Sequence, residues 1–303
     1  MSSLDTSAPA RSDHVTVGIA YMLGATLVFA TSQAVTKWQV ASYSFDEVLF
    51  FRSVGSLFIC ALMVLPRRGL DVFATDRLGA HVARSAAQTV AQSCITIAFG
   101  LMSLGGAIAI NFSAPLFATL AAAVWLKEKV GLVRGAALVT GFLGVLLVAS
   151  PGAGTFQIGA LFALANAVLY GSVTAAVRGM SKTESADTLI MYQMVLLTLF
   201  FAAGLPVFGF VWPASGIDWT ALTLNGMLNG VGQYWWTRAL SLAPAAAVAP
   251  FYYFSLVWAM ILGFMFWGDV PSLTLLAGSA VVVGSGLALY WHESGRKLRP
   301  AAD

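Results

Sequence analysis

Apolar positions along this chain do not alternate with polar ones; they run on. His14–Thr36, Ser85–Leu126, Gly135–Val177, Thr188–Ile217, Ala239–Gly268 and Val270–His292 contain no Asp, Glu, Lys or Arg. A bilayer-crossing helix needs about 20 mostly apolar residues. Two of these windows are long enough for more than one span, each broken by Gly with Pro or Ser. The pattern predicts ten helices, at about 15–36, 46–65, 78–101, 104–126, 130–149, 157–179, 187–206, 218–240, 243–266 and 272–291. The second carries Arg52 inside it, and the third carries His81 and Arg84 near its start.

Composition agrees. Of 303 residues, 59% are hydrophobic and 10% charged, against about 25% charge in soluble domains. So little polar surface cannot cover a water-exposed particle, which excludes a soluble enzyme, a disordered chain and a nucleic-acid binder. Cys60 and Cys94 both lie in apolar runs with no metal-ligand spacing, so neither a disulfide nor a zinc site is expected. The stretch Met1–His14 lacks the basic start and short apolar core of a signal peptide, so the first span is expected to be retained.

Ten is even, so both ends lie on one side. With that side go Arg11, Arg67, Arg68, Arg77, Lys127, Lys129, Arg134, Arg178, Lys182, Arg238, Arg296, Lys297 and Arg299. The opposite side holds only Lys37 and Arg52. By the positive-inside rule both termini face the cytoplasm. The expected organisation is a cytoplasmic tail 1–14, a first five-helix repeat 15–149, a second, inverted repeat 157–291 and a cytoplasmic tail 292–303.

The repeat emerges when the sequence is shifted by 141 residues. Gly18 then meets Gly159, Lys37 meets Arg178, Asp46 meets Asp187, Gln92 meets Gln233, Thr96 meets Thr237 and Glu128 meets Asp269. After two extra residues, Gly135 and Gly141 meet Gly278 and Gly284. Five spans per copy is odd, so the second copy enters the membrane upside down. Inverted repeats are a signature of secondary transporters, with substrate held near the midplane between the halves.

Polar side chains within spans mark cavities by default. Helix 3 carries Arg84, Gln88 and Gln92; helix 8 carries Asn225, Asn229 and Gln233. Each set runs i, i+4, i+8, a stripe about 12 Å long on one face, and the sets coincide under the 141 shift. A lone amide reads as packing glue; six polar residues on two repeat-related faces read as the wall of a shared pathway. His81 extends the first stripe. Arg84 either snorkels to the interface or faces a substrate carboxylate, and Arg52 is expected to snorkel outward. Asn166 and Tyr170 on helix 6, Asn111 on helix 4, Tyr252 on helix 9 and Tyr234 beside Gln233 suit a pocket that stacks on an apolar group and bonds its polar end. Trp212, Trp219, Trp267 and Trp291 read as an interface belt. Pro115, Pro244 and Pro250 free backbone carbonyls and permit kinks. The second copy has Leu256 where the first has Pro115, with Pro250 six residues earlier, so helix 9 is expected to bend at a different depth from helix 4.

Pro115 followed by Trp125-Leu126-Lys127-Glu128, the G-x5-G of helix 5 and Ala239-Leu240-Ser241-Leu242-Ala243-Pro244 resemble the drug/metabolite transporter superfamily, EamA-type. The resemblance covers about residues 15–291, and within that superfamily the chain looks most like the bacterial amino-acid exporters of the YddG type. It implies an all-α inner-membrane carrier of neutral and aromatic amino acids, working by alternating access without a cofactor or nucleic-acid partner, and as a monomer. A proton-coupled drug exporter and a sugar-phosphate or nucleotide-sugar exchanger are the alternatives within that superfamily. No ATP-binding motif is present, and every acidic residue falls at or beyond a predicted helix end, which favours downhill transport with His81 the one internal proton carrier. A membrane hydrolase would need a G-x-S-x-G or H-E-x-x-H context that this sequence lacks.

The orientation is directly testable. A reporter active only in the cytoplasm is expected to work when fused after Asp303 and to fail when inserted at Ser42; the reverse result would overturn the assigned sidedness.

Overall fold

The computed structural model describes residues 10–125, 132–149, 158–242 and 251–297. They form eleven α-helices and one short 3₁₀ turn. The helices are α1 Ala10–Gln39, α2 Phe45–Arg68, α3 Leu78–Leu101, α4 Leu104–Asn111, α5 Ala114–Trp125, α6 Leu132–Ala149, α7 Ile158–Met180, α8 Ala186–Phe208, α9 Gly216–Leu242, α10 Phe254–Trp267 and α11 Leu273–Lys297; the 3₁₀ turn is Gly69–Phe73. Since α4 and α5 share one span, the chain has the ten spans read from its hydropathy. By length and composition, five stretches are apolar enough to cross a bilayer unaided, among them Val15–Gln39 and Ala186–Phe208. The helices α3 and α9 are not among the five; they carry the amide stripes.

Local chemistry writes the repeat twice. Ser44 caps α2, its Oγ accepting from Glu47 N at 3.3 Å, and Ser185 caps α8, accepting from Thr188 N at 3.1 Å. These serines are 141 residues apart. Each is followed by an aspartate in the first helical turn, Asp46 or Asp187, where a negative charge complements the helix dipole. The basic pair Arg67 and Arg68 sits at the other end of α2.

Packing obeys the same exchange. The helix α1 packs on α9, and α7 on α3; α5 packs on α7, and α10 on α1; α2 meets α8, α4 meets α10 and α6 meets α11. Swapping the copies maps α1–α9 onto α7–α3 and α5–α7 onto α10–α1, and maps α2–α8 and α6–α11 onto themselves, as a pseudo-two-fold axis requires. Two crossings are set by glycine pairs. A Cβ on Gly226 of α9 would lie 2.8 Å from the Gly55 Cα of α2, and one on Gly278 of α11 would lie 2.8 Å from the Gly144 carbonyl oxygen of α6. Close backbone approach through small residues is how apolar helices gain dispersion contacts without water to drive them together. Of the G-x5-G glycines, Gly278 makes such an approach and Gly141 is covered by the Leu116 and Ser285 side chains, whereas Gly135 and Gly284 face no neighbour within 4 Å.

The fourth span breaks at Phe112, with φ −65° and ψ −6°. Pro115 explains the break: it has no N–H for the Asn111 carbonyl, and its ring would clash with that group in a continuous helix. In the second copy the chain is helical at 251–252, turns at Tyr253 with φ −66° and ψ −13°, then continues as α10. Tyr253 is the shift partner of Phe112. The expectation of different depths is therefore corrected: both spans break at the same repeat position although only the first has a proline three residues on. The breaks meet, with the Phe112 ring 4.9 Å from Tyr253 and 5.5 Å from Tyr252. Pro244, Pro250 and the Leu126-Lys127-Glu128 segment lie outside the described residues.

Gly226→Ala is expected to force α2 and α9 apart and to cost roughly 1–3 kcal/mol, the usual penalty of overpacking. It should lower the thermal midpoint of the purified protein, whereas Gly79→Ala, with no atom within 4 Å of its added methyl, should not. Equal midpoints would show that the crossing does not constrain the fold.

Candidate functional site

Around the breaks lie Asn111, Asn166, Tyr170 and Tyr252, four of the residues expected in a pocket. Asn166 on α7 donates from Nδ2 to Asn111 Oδ1 at the end of α4, 2.6 Å away. Tyr252, the repeat partner of Asn111, lies within electrostatic range of Tyr170 and Tyr253 and packs against an apolar cluster with Met22, Ile19 and Phe251. One half thus presents an amide pair and the other a phenol on an apolar wall. The repeat partners of Asn166 and Tyr170 are Ala25 and Phe29, so the chemistry is asymmetric although the scaffold is not. Tyr170 keeps an exposed face.

Helix α2 bonds to both stripes. Arg52 Nη2 donates to Gln92 Oε1 at 3.0 Å, and one turn later Ser56 Oγ accepts from Asn229 Nδ2 at 2.9 Å. Ser56 also donates to the Gly226 carbonyl at 3.1 Å. Arg52 is therefore corrected: it does not snorkel outward but turns in, with 9% of its surface exposed. Gln88 is buried on α3, while Gln233 and Tyr234 are half-buried on α9.

Asn225 is saturated. Its Oδ1 accepts from Ser32 Oγ at 2.6 Å, and its Nδ2 donates to Thr36 Oγ1 at 3.0 Å and Gln39 Oε1 at 2.7 Å. These three partners run i, i+4, i+7 along α1, a stripe the sequence contains and the stripe search on α3 and α9 passed over. Ser56 was missed for a different reason: a single serine in an apolar span carries no periodic signal.

Arg84 does not snorkel either. It is 5% exposed and donates from Nη2 to the Leu189 carbonyl of α8 at 2.7 Å. It belongs to a belt that ties the end of α2, the 3₁₀ turn and the start of α3 to the α7–α8 connection. In that belt His81 Nε2 stands 3.7 Å from Glu184 Oε2 and its ring stacks on Tyr192, centroids 4.4 Å apart. Thr75 Oγ1 donates to Glu184 Oε1 at 2.8 Å, Arg77 Nη1 donates to Thr183 Oγ1 at 3.0 Å, and Arg68 pairs with Asp187 at 3.2 Å.

At the other end Lys37 closes α1 onto α3. Its Nζ donates to the Met102 carbonyl at 2.6 Å and the Phe99 carbonyl at 3.0 Å, capping the C-terminal end of α3 where the dipole is negative. The same ammonium lies 5.3 Å from the centre of the Trp267 ring at the end of α10, a cation–π contact joining the two copies. Trp267, expected in an interface belt, thus also serves this junction.

Known proteins share both pattern and fold. A riboflavin transporter of Rhizobium johnstonii is 28% identical, covering 98% of each chain. The pseudopaline exporter CntI of Pseudomonas aeruginosa is 27% identical, covering 92% of this chain and 97% of its own. A solved structure superposes with a TM-score of 0.62 at 21% identity, covering 97% of this chain and all of the other, which shows the fold. The EamA-like transporter family model matches residues 16–150 and again 157–291. A multi-pass chain of two matched repeats, with polar groups gathered where its broken helices meet, belongs to the EamA-like transporter family.

Proposed function

We propose that the protein is a downhill carrier that exports small amphipathic metabolites by alternating access, with neutral and aromatic amino acids as its cargo class. It acts as a monomer in a bacterial inner membrane, both termini in the cytoplasm and the copies bounded at 15–149 and 157–291. The observation that carries the cargo reading is the Asn111–Asn166 amide pair at the break of the fourth span, with the Tyr170 and Tyr252 phenols beside it. Such a wall hydrogen-bonds the polar edge of a compound and stacks on its ring. Gln88, Gln92, Asn229, Gln233 and Tyr234 continue the pathway, with kinks near Pro115, Pro244 and Pro250. Asn225 we assign to helix pairing, since its partners all lie on α1. His81 and Arg84 act in the belt at the cytoplasmic end. Lys37 closes the extracellular end.

A second reading is flavin transport. It is favoured by the full-length similarity to a riboflavin transporter and by the amide pair, which suits the imide edge of a ring as well as it suits an amino acid.

Counterflow in liposomes separates the readings. Purified protein preloaded with unlabelled phenylalanine or riboflavin is expected to accumulate the matching labelled compound, unaffected by a protonophore. Flavin uptake without amino-acid uptake would replace the first reading by the second. Protonophore sensitivity would overturn downhill transport, and no uptake of either would overturn both cargo readings.

Asn166→Ala and Tyr252→Phe are each expected to cut flux about tenfold or more at unchanged protein level, the loss of roughly one good hydrogen bond at about 1.4 kcal/mol per decade. Asn225→Ala should instead lower stability by about 0.6–1.7 kcal/mol, the range for interhelical bonds in membranes. A flux loss at Asn225 with unchanged stability would reverse this division of roles.

Lys37→Gln is expected to raise labelling of a cysteine placed at Tyr170 by an impermeant maleimide from outside, in a background lacking Cys60 and Cys94. Lys37→Arg should keep the parent rate. Unchanged labelling would remove Lys37 from the closure.

A further inference from the structure

We propose that the Arg52 guanidinium is the subsite for a negatively charged group on the transported compound, a carboxylate or a phosphate. The inference deepens the functional reading above and rests on it for the location of the pathway. It starts from a cation in an unusual place. Arg52 lies seven residues into α2, about 10 Å along the helix at its normal rise. A guanidinium at that depth is costly, and its long stem offers an easy escape to the interface. The side chain does not take it: Arg52 is nine-tenths buried and reaches sideways to α3.

Its partnering is incomplete. Guanidinium carries five N–H donors, and among the described residues its one bond runs from Nη2 to Gln92 Oε1 at 3.0 Å. Among the described residues, the ion pairs within 4 Å are Arg68–Asp187 and His81–Glu184; neither involves Arg52. The nearest acids in sequence, Asp46 and Glu47, are turned away. Asp46 packs against the Gly204 backbone of α8, and Glu47 Oε2 accepts from Val211 N at 3.0 Å.

Arg84 provides the contrast within the same protein. It too is buried and makes one bond, to a carbonyl of α8, with its Nε left unpartnered, but it stands within electrostatic range of His81, which pairs with Glu184. Its charge belongs to a structural belt. Arg52 has no such setting.

A purely structural role for Arg52 fits poorly. One interhelical bond to an amide oxygen could be made by a neutral donor without burying a charge. What a neutral donor could not do is receive an anion. Gln92 holds one nitrogen of the planar fork and leaves the rest of the plane free, and a fork held in this way suits two-pronged contact with carboxylate or phosphate oxygens. The neighbouring groups, Ser56 one turn along α2 and Asn229 bonded to it, are neutral and do not compete for the charge.

The test uses full-length purified protein in detergent and two matched probe pairs: L-phenylalanine with L-phenylalaninamide, and riboflavin 5′-phosphate with riboflavin. Binding is read from the temperature at which half the protein stays monodisperse after heating. At least one acid is expected to bind tenfold or more tighter than its uncharged-group partner, and which pair responds tells carboxylate from phosphate. Arg52→Gln, which removes the charge but keeps an amide donor on α2, should abolish that preference by lowering the acid's affinity far more than its partner's; Arg52→Lys should keep part of it. If Arg52→Gln fails to fold, Gln92→Leu is expected to weaken the preference severalfold by releasing the fork. No acid preference in the parent for either pair overturns the proposal, as does a preference that survives Arg52→Gln or an equal loss for acid and neutral probe. Failure of counterflow alongside an Arg52-dependent acid preference would sink the cargo reading and leave the subsite standing.

Discussion

Hydrocarbon offers no hydrogen bonds, so each polar group inside this protein must find its partner within the chain or at a water-filled surface. That constraint sorts the polar side chains of the spans into three kinds. Asn225 is answered completely by Ser32, Thr36 and Gln39 and holds α9 against α1. Asn111 and Asn166 answer one another beside the break of the fourth span. Arg52 is answered once and carries a charge that nothing nearby cancels. Residues of similar sequence context thus acquire different roles from the completeness of their partnering.

The pseudo-two-fold scaffold explains why these residues gather where they do. Helices that face one another in the first copy with the second are matched by the reverse pair, and the axis passes where Phe112 meets Tyr253. Both spans break at that point; in the proposed alternating access, this is the level about which the halves would tilt. Symmetry of backbone does not carry over to side chains. An amide pair stands on one side of the axis and a phenol over an apolar wall on the other.

The ends of the bundle are held by different chemistry. At one end a single ammonium caps α3 and lies against Trp267. At the other, a belt of Arg68, Arg77, Thr75, His81 and Arg84 grips the α7–α8 connection through several weaker contacts. Exposed ion pairs such as Arg68–Asp187 contribute little individually; the belt gains its hold from the number and the burial of its members.

Span number, repeat offset and family resemblance were legible in the sequence because they depend on features that hydrocarbon enforces locally: length, charge exclusion and the small or capping residues that end helices. The same 141-residue shift relates Ser44 to Ser185 and Phe112 to Tyr253, whose roles as caps and break points the structure supplies. Proline spacing pointed to unequal bends and misled, since the second span breaks at Tyr253, the repeat partner of Phe112, although Leu256 stands where the first copy has Pro115. The amide stripes were visible as periodicity, yet their roles were not. Whether Asn225 is glue, or whether Arg52 turns outward or inward, depends on which helix stands opposite. Only tertiary structure, by setting α2 against both stripes, decided that Gln92 would meet a guanidinium and Asn229 a serine. Periodicity reports which face a residue shares; it carries no record of what that face will meet.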